Sequence, residues 1–299
     1  MPPSLPSISK LIDSTLKRAR PIYWKLAGIA AIGILVSLPF SIYLLIHPDT
    51  FVSPVLQGHT LKFISILMTV ILFSLLVQVW MKITLMRSIL QKSTIKIFQG
   101  YKESLKLFPA YFWIYFLQML ILVPAIFCLV IPFIIIAVHV LFADWFMVTG
   151  EARGLEALAK SRELSRGIFW KTALRVFFPF VIIMVLSAAI NISLSFHSIW
   201  NEDVTQVIIT ILQTVLSLLV TPLAVLCQYE LFLALKKHGT KKDPKKQMEI
   251  YKIFTIIGAT LFTLFMLFTL LVITLLSIFP PMQNSNGLME NSTYEQSEL

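Results

Sequence analysis

Charge is what this sequence has least of. Asp, Glu, Lys and Arg make up 13% of its 299 residues, about half the share of an ordinary soluble domain. Acids are the scarcer sign, 15 against 25 Lys and Arg. So little polar side chain cannot cover a globule of this size, which excludes a soluble enzyme and a disordered chain alike. Cysteine is nearly missing too, with two residues, so a disulfide scaffold is excluded. Cys128 and Cys227 both sit in apolar runs with no Cys or His at ligand spacing, as inert packed thiols do. There is no H-E-x-x-H, G-x-S-x-G, Walker A or G-x-G-x-x-G motif. Of the five histidines, no two stand three or four residues apart. The chain is therefore expected to be no enzyme and to carry no cofactor or metal.

What the sequence has in excess is apolar residues, 57% of the chain, in long continuous runs. A helix needs about 20 such residues to cross a bilayer. Seven stretches qualify, near 22–46, 62–86, 108–128, 130–149, 169–195, 206–235 and 253–279. The expected fold class is all-α, a polytopic transmembrane bundle. The long run from Phe108 to Val148 is split by Pro124 and Pro132, which predict a turn over 125–131. Pro39, Pro179 and Pro222 lie inside spans and predict kinks.

Lys and Arg set the orientation, because cytoplasmic segments retain them. With seven spans, 24 of the 25 cations fall on one side and Lys62 alone on the other. The inner side then holds 9 acids and a net charge of +15, the outer side 6 acids and −5. The N-terminus is expected in the cytoplasm and the C-terminus outside. Residues 1–237 form the six-span domain, 238–252 a basic cytoplasmic loop, 253–279 the seventh span and 280–299 an acidic, disordered tail. Lys236, Lys237, Lys241, Lys242, Lys245 and Lys246 resemble a nucleic-acid patch. Between two spans they read more simply as a topology signal that attracts anionic headgroups. Membrane lipid, with a protein partner or a second copy, is the expected company, and nucleic acid is not.

The cytoplasmic connections carry helical spacing. Ile8, Leu11, Ile12 and Leu16 share one face; so do Ile97, Tyr101, Leu105 and Phe108, and then Leu155, Leu158 and Arg162. Each segment precedes an aromatic–Trp pair that opens a span, with Trp24, Trp113 and Trp170 as interface anchors. Ser14, Ser104 and Ser161 precede those tryptophans by similar distances. The pattern predicts three units of interfacial amphipathic helix, span, outer turn and span, starting near residues 8, 94 and 153. Repeats in membrane folds often place a binding site where they meet.

Polar groups inside spans are the candidate sites. His139 lies midway along the fourth span. Asp144 lies nearer the cytoplasm on another face, and Glu230 near the inner end of the sixth span. Gln118 and Gln213 add amides. These groups could relay protons in a transporter or permease for a small or lipid-like substrate. They could equally hold helices together, with Asp144 and Glu230 paired to nearby Lys or Arg. Their shallow depth favours the second reading for the two carboxylates.

Residues 154–170, GLEALAKSRELSRGIFW, resemble the A-L-x-x-S-x-x-L-x-x-G-x-x-W signature of the glycerophosphoryl diester phosphodiesterase membrane-domain family. Ile131-Pro132 at the fourth span, Phe142-Ala143 near its end, and Thr221-Pro222 through Leu231 extend the resemblance to about residues 10–237. Phe133 stands where the family has its turn glycine. The resemblance implies a bacterial inner-membrane protein. The family's catalytic barrel would need about 250 residues, and about 60 follow residue 237, so the activity in the family's name is not implied. The expected role is an envelope or lipid-associated scaffold, with transport as the alternative.

Overall fold

The computed structural model describes residues 5–46, 60–91, 96–127, 130–196, 202–238 and 244–278. These residues form helices and short turns. The long ones are α2 (Tyr23–Ile46), α3 (Thr60–Leu90), α5 (Phe108–Phe127), α9 (Phe169–Phe196), α10 (Glu202–His238) and α11 (Pro244–Ile278). Between them run shorter helices, α1 (Ile8–Ala19), α4 (Ile97–Ser104), α6 (Val130–Val140), α7 (Ala143–Val148) and α8 (Gly154–Ser165). Four stretches are long and apolar enough to cross a membrane, 68–90, 97–122, 169–193 and 204–237. The pair α1 and α2, bent by 87° over Pro21, makes up to five. The apolar stretches 133–148 and 251–264 are shorter. The molecule is thus an all-helical membrane protein, and the seven-span expectation is met in part.

Local chemistry sets the helix boundaries. The Ser7 hydroxyl caps α1 by accepting from the Lys10 amide at 3.3 Å. Gly154 opens α8 and Gly167 follows its end, with φ of 54° and 82°, in the left-handed region that favours glycine. Pro179 and Pro222 sit inside α9 and α10, both of which continue past them. The turn expected over 125–131 is narrower, because α5 runs through Pro124 to Phe127 and helix resumes at Val130. Cys128 lies outside the described residues. The basic loop also shrinks, since α10 extends to His238 and α11 begins at Pro244. The tail beyond 278 lies outside the described residues.

Packing follows a cyclic order. Helix α2 lies on α3 and α10, α5 on α3 and α6, and α9 on α6 and α10. Each short helix docks on the helix that ends the preceding pair, α4 on α3 and α8 on α6 and α7. Helix α1 docks on α10 and so closes the circuit. Helix α11 lies outside it, against α5 and α8. A Cβ at Gly258 would overlap the Leu120 carbonyl, so glycine is what lets α11 approach the α5 backbone. The core sits where α3, α5, α7 and α10 converge. Tyr111, Phe142, Trp145 and Phe232 are fully buried there, and the Trp145 ring lies 4.8 Å from Tyr229.

Candidate functional site

Three hydroxyls hold the docked helices. Ser104 on α4 accepts from the Trp80 indole at 2.9 Å and meets the Thr84 hydroxyl at 2.8 Å, both on α3. Ser161 on α8 donates to the His139 carbonyl at 2.5 Å and accepts from the Phe142 amide at 3.1 Å. Thr15 on α1 is buried opposite Cys227 of α10. Each stands nine residues before its tryptophan, Trp113, Trp170 and Trp24. The buried hydroxyl of α1 is Thr15 and not the half-buried Ser14, although both donate to the Leu11 carbonyl, at 2.8 and 2.9 Å. The three tryptophans point outward, 79%, 54% and 70% exposed at Trp24, Trp113 and Trp170.

Ser161 also explains a break. Helix α6 stops at Val140 and α7 starts at Ala143, with no proline or glycine between them. The serine supplies an acceptor and a donor to the backbone groups freed there. The break turns Asp144 inward and leaves His139 facing α8. His139 Nδ1 is 2.7 Å from the Ser165 hydroxyl, and its ring lies against Phe169.

At the centre Asp144 is 3% exposed and both carboxylate oxygens are used. Oδ2 accepts from Lys82 Nζ at 2.6 Å and from the Tyr111 hydroxyl at 2.8 Å. Oδ1 accepts from the Gln118 amide at 2.9 Å, and that amide also reaches the Val140 carbonyl at 3.2 Å. A buried carboxylate persists when it is paired and fully hydrogen-bonded in this way. Lys82 differs in being 35% exposed at the side chain.

Lys82 borders two cavities. One, about 410 Å³, runs along α10 past Gln213, Ser217, Thr221 and Gln228 and meets Ser187 of α9. The other, about 230 Å³, lies between α3, α5 and α10 beside Gln78, Tyr111 and Tyr115. Lys82, Thr221 and Val225 border both. The larger falls within the size range of small-molecule sites. The Gln213 and Gln228 amides have no hydrogen-bond partner among the described residues. No group of three or more His, Cys, Asp or Glu among the described residues is placed to hold a metal.

The five polar residues singled out in the sequence scatter over three places. Asp144 and Gln118 come together, and Gln213 lines the large cavity. His139 belongs to the α6–α8 contact. Glu230 pairs with Arg18 of α1, whose guanidinium lies 5.1 Å over the Tyr229 ring. Of the headgroup candidates, Lys236 is bound to Glu151 at 2.5 Å and Lys237 is exposed. Lys245 and Lys246 lie in the first turn of α11, and Lys241 and Lys242 outside the described residues. Lys82 was missed as a site, being counted among the topology cations. Its position eight residues before the end of α3, inside an apolar stretch, was the available signal.

No known family model, curated protein or solved structure matches the chain. These comparisons therefore lend no support to the resemblance to the phosphodiesterase membrane-domain family.

Proposed function

We propose that the chain is a non-enzymatic inner-membrane carrier that takes a small or lipid-like substrate into the cavity beside Lys82. The observation that carries this reading is that two unpartnered amides, Gln213 and Gln228, line one cavity together with a part-exposed lysine. Fifteen residues of helix separate the amides, roughly 22 Å along the bilayer normal at 1.5 Å per residue. An unpartnered amide is costly in an apolar medium, so a ligand or water must satisfy it.

In this reading the chain crosses seven times, with its N-terminus in the cytoplasm. Helix α3 then descends toward the cytoplasm, and Lys82 lies about 12 Å above its inner end. Helices α1, α4 and α8 lie along the inner face, and their cations attract anionic headgroups. That basic face also supports the scaffold reading, in which a protein partner or second copy sits on it. The outward Trp24, Trp113 and Trp170 favour lipid there, since tryptophan belongs at the headgroup level.

The test is water access. Ser217→Cys, in a Cys128→Ser/Cys227→Ala background, should react with a charged, membrane-impermeant thiosulfonate. It should do so at least tenfold faster than the exposed Leu212→Cys control. Equal rates at the two positions would mean a dry bundle and would leave the scaffold reading in place.

A further inference from the structure

A third cavity adjoins the larger one between α9 and α10. It measures about 250 Å³ and is bounded by Ile12 and Leu16 of α1, Pro179 and Ile182 of α9, and Leu223 of α10. Its lining is apolar, in contrast to the amides and hydroxyls of the cavity at Lys82. The two cavities share Ile183, Val220 and Ala224 as a common wall. Small and β-branched side chains thus border a polar chamber and an apolar one at once, and the two lie side by side.

The charge presented to the polar chamber is positive. In the Lys82–Asp144 pair the carboxylate is 3% exposed and the ammonium 35%. Tyr111 and Gln118 further cover the carboxylate with donors. Lys82 gives one N–H to Asp144 Oδ2, and an ammonium has three. A ligand in the chamber therefore meets donors from Lys82, Gln213 and Gln228 and no exposed carboxylate among the lining residues.

We infer that the site takes a single-chain amphiphile with an anionic head, its phosphate or carboxylate held at Lys82 and Gln228 and its acyl chain in the groove between α1, α9 and α10. This rests on the carrier reading and names its substrate class. Charge complementarity fixes the head, and the apolar groove that adjoins the polar chamber along Ile183, Val220 and Ala224 fixes the chain. The groove, about 250 Å³, is smaller than the chamber at Lys82, and a single chain is the occupant inferred.

The experiment uses the full chain in phosphatidylcholine nanodiscs with dodecyl phosphate carrying a diazirine at the chain end. Photolabelled residues are read by mass spectrometry. Labels should fall on Ile12, Leu16 and Ile182 and be competed by plain dodecyl phosphate but not by dodecyl maltoside. Lys82→Gln/Asp144→Asn keeps the interior neutral and should lower labelling at least tenfold. Ala224→Phe leaves Lys82 intact and should move the labels out of the groove. Competition by both detergents, indifferent to the Lys82 variant, would overturn the anionic head while leaving a carrier of amphiphiles. Absence of label from the residues around both cavities would overturn the carrier reading as well.

Discussion

Replacing Lys82 by methionine tests the centre of the molecule most directly. Methionine keeps the length and removes the charge, so Asp144, 3% exposed, would stay buried without its cation. Breaking a buried pair from one side costs about 3–5 kcal/mol. Two features place this case near about 3 kcal/mol on that scale. Tyr111 and Gln118 still donate to the carboxylate, and the lysine is a third exposed, where solvent weakens the pair. At about 2 °C per kcal/mol for a chain of this size, the melting temperature should fall by roughly 6 °C. Lys82→Met/Asp144→Asn removes both charges and keeps an acceptor for Gln118, so it should recover most of that loss. Thermal unfolding of the three proteins in one detergent, followed by helix signal, gives the comparison. If the double variant is no more stable than Lys82→Met, the loss is not a stranded carboxylate and the pairing is refuted.

Three further outcomes follow from the contacts. Ser161→Ala strips partners from the His139 carbonyl and the Phe142 amide, and should cost about 1–3 kcal/mol. Hydrogen exchange at Phe142 should rise, and an unchanged rate would remove Ser161 from the break. Arg18→Glu and Glu230→Arg should each loosen α1 from α10, and the exchanged pair should restore the contact. Protease resistance at the α1–α2 bend reads this, and a double variant worse than either single one would count against the pair. Gly258→Val should push α11 off α5 without disturbing the Lys82 centre. Spin-label distances between the two helices would lengthen by several ångströms, and no lengthening would mean that the two backbones do not meet at Gly258.

The apolar runs made the helical segments legible, because continuous hydrophobicity leaves few alternatives to helix. Their breaks were less so. Nothing between Val140 and Ala143 marks an end, since the cause is a hydroxyl about twenty residues downstream on another helix. Pro179 and Pro222 lie inside helices that continue past them, as membrane helices tolerate. The serine pattern points to Ser14, whereas the buried hydroxyl nine residues before Trp24 is that of Thr15, a different residue type. Asp144 and Glu230 are both paired with a cation, but their partners lie 62 and 212 residues away in the chain. Periodicity says nothing about separations of that kind. The cavity was invisible for the same reason, its amides being distant from Lys82 in sequence.

The docking circuit has a consequence for how the chain is made. Helices α4 and α8 each settle on a helix already synthesised when they emerge. Helix α1 is the exception, because its partner α10 follows it in the chain by nearly two hundred residues. Leu11 precedes Cys227 by 216 residues, and at about 5–20 residues per second the ribosome needs roughly 10–40 s to cover that distance. For that interval the α1 face with Leu11, Thr15 and Ala19 has no protein to cover it. The bilayer surface is the available host, and α1 then leaves it when α10 arrives. Circular closure thus makes α1, synthesised long before α10, wait for its partner.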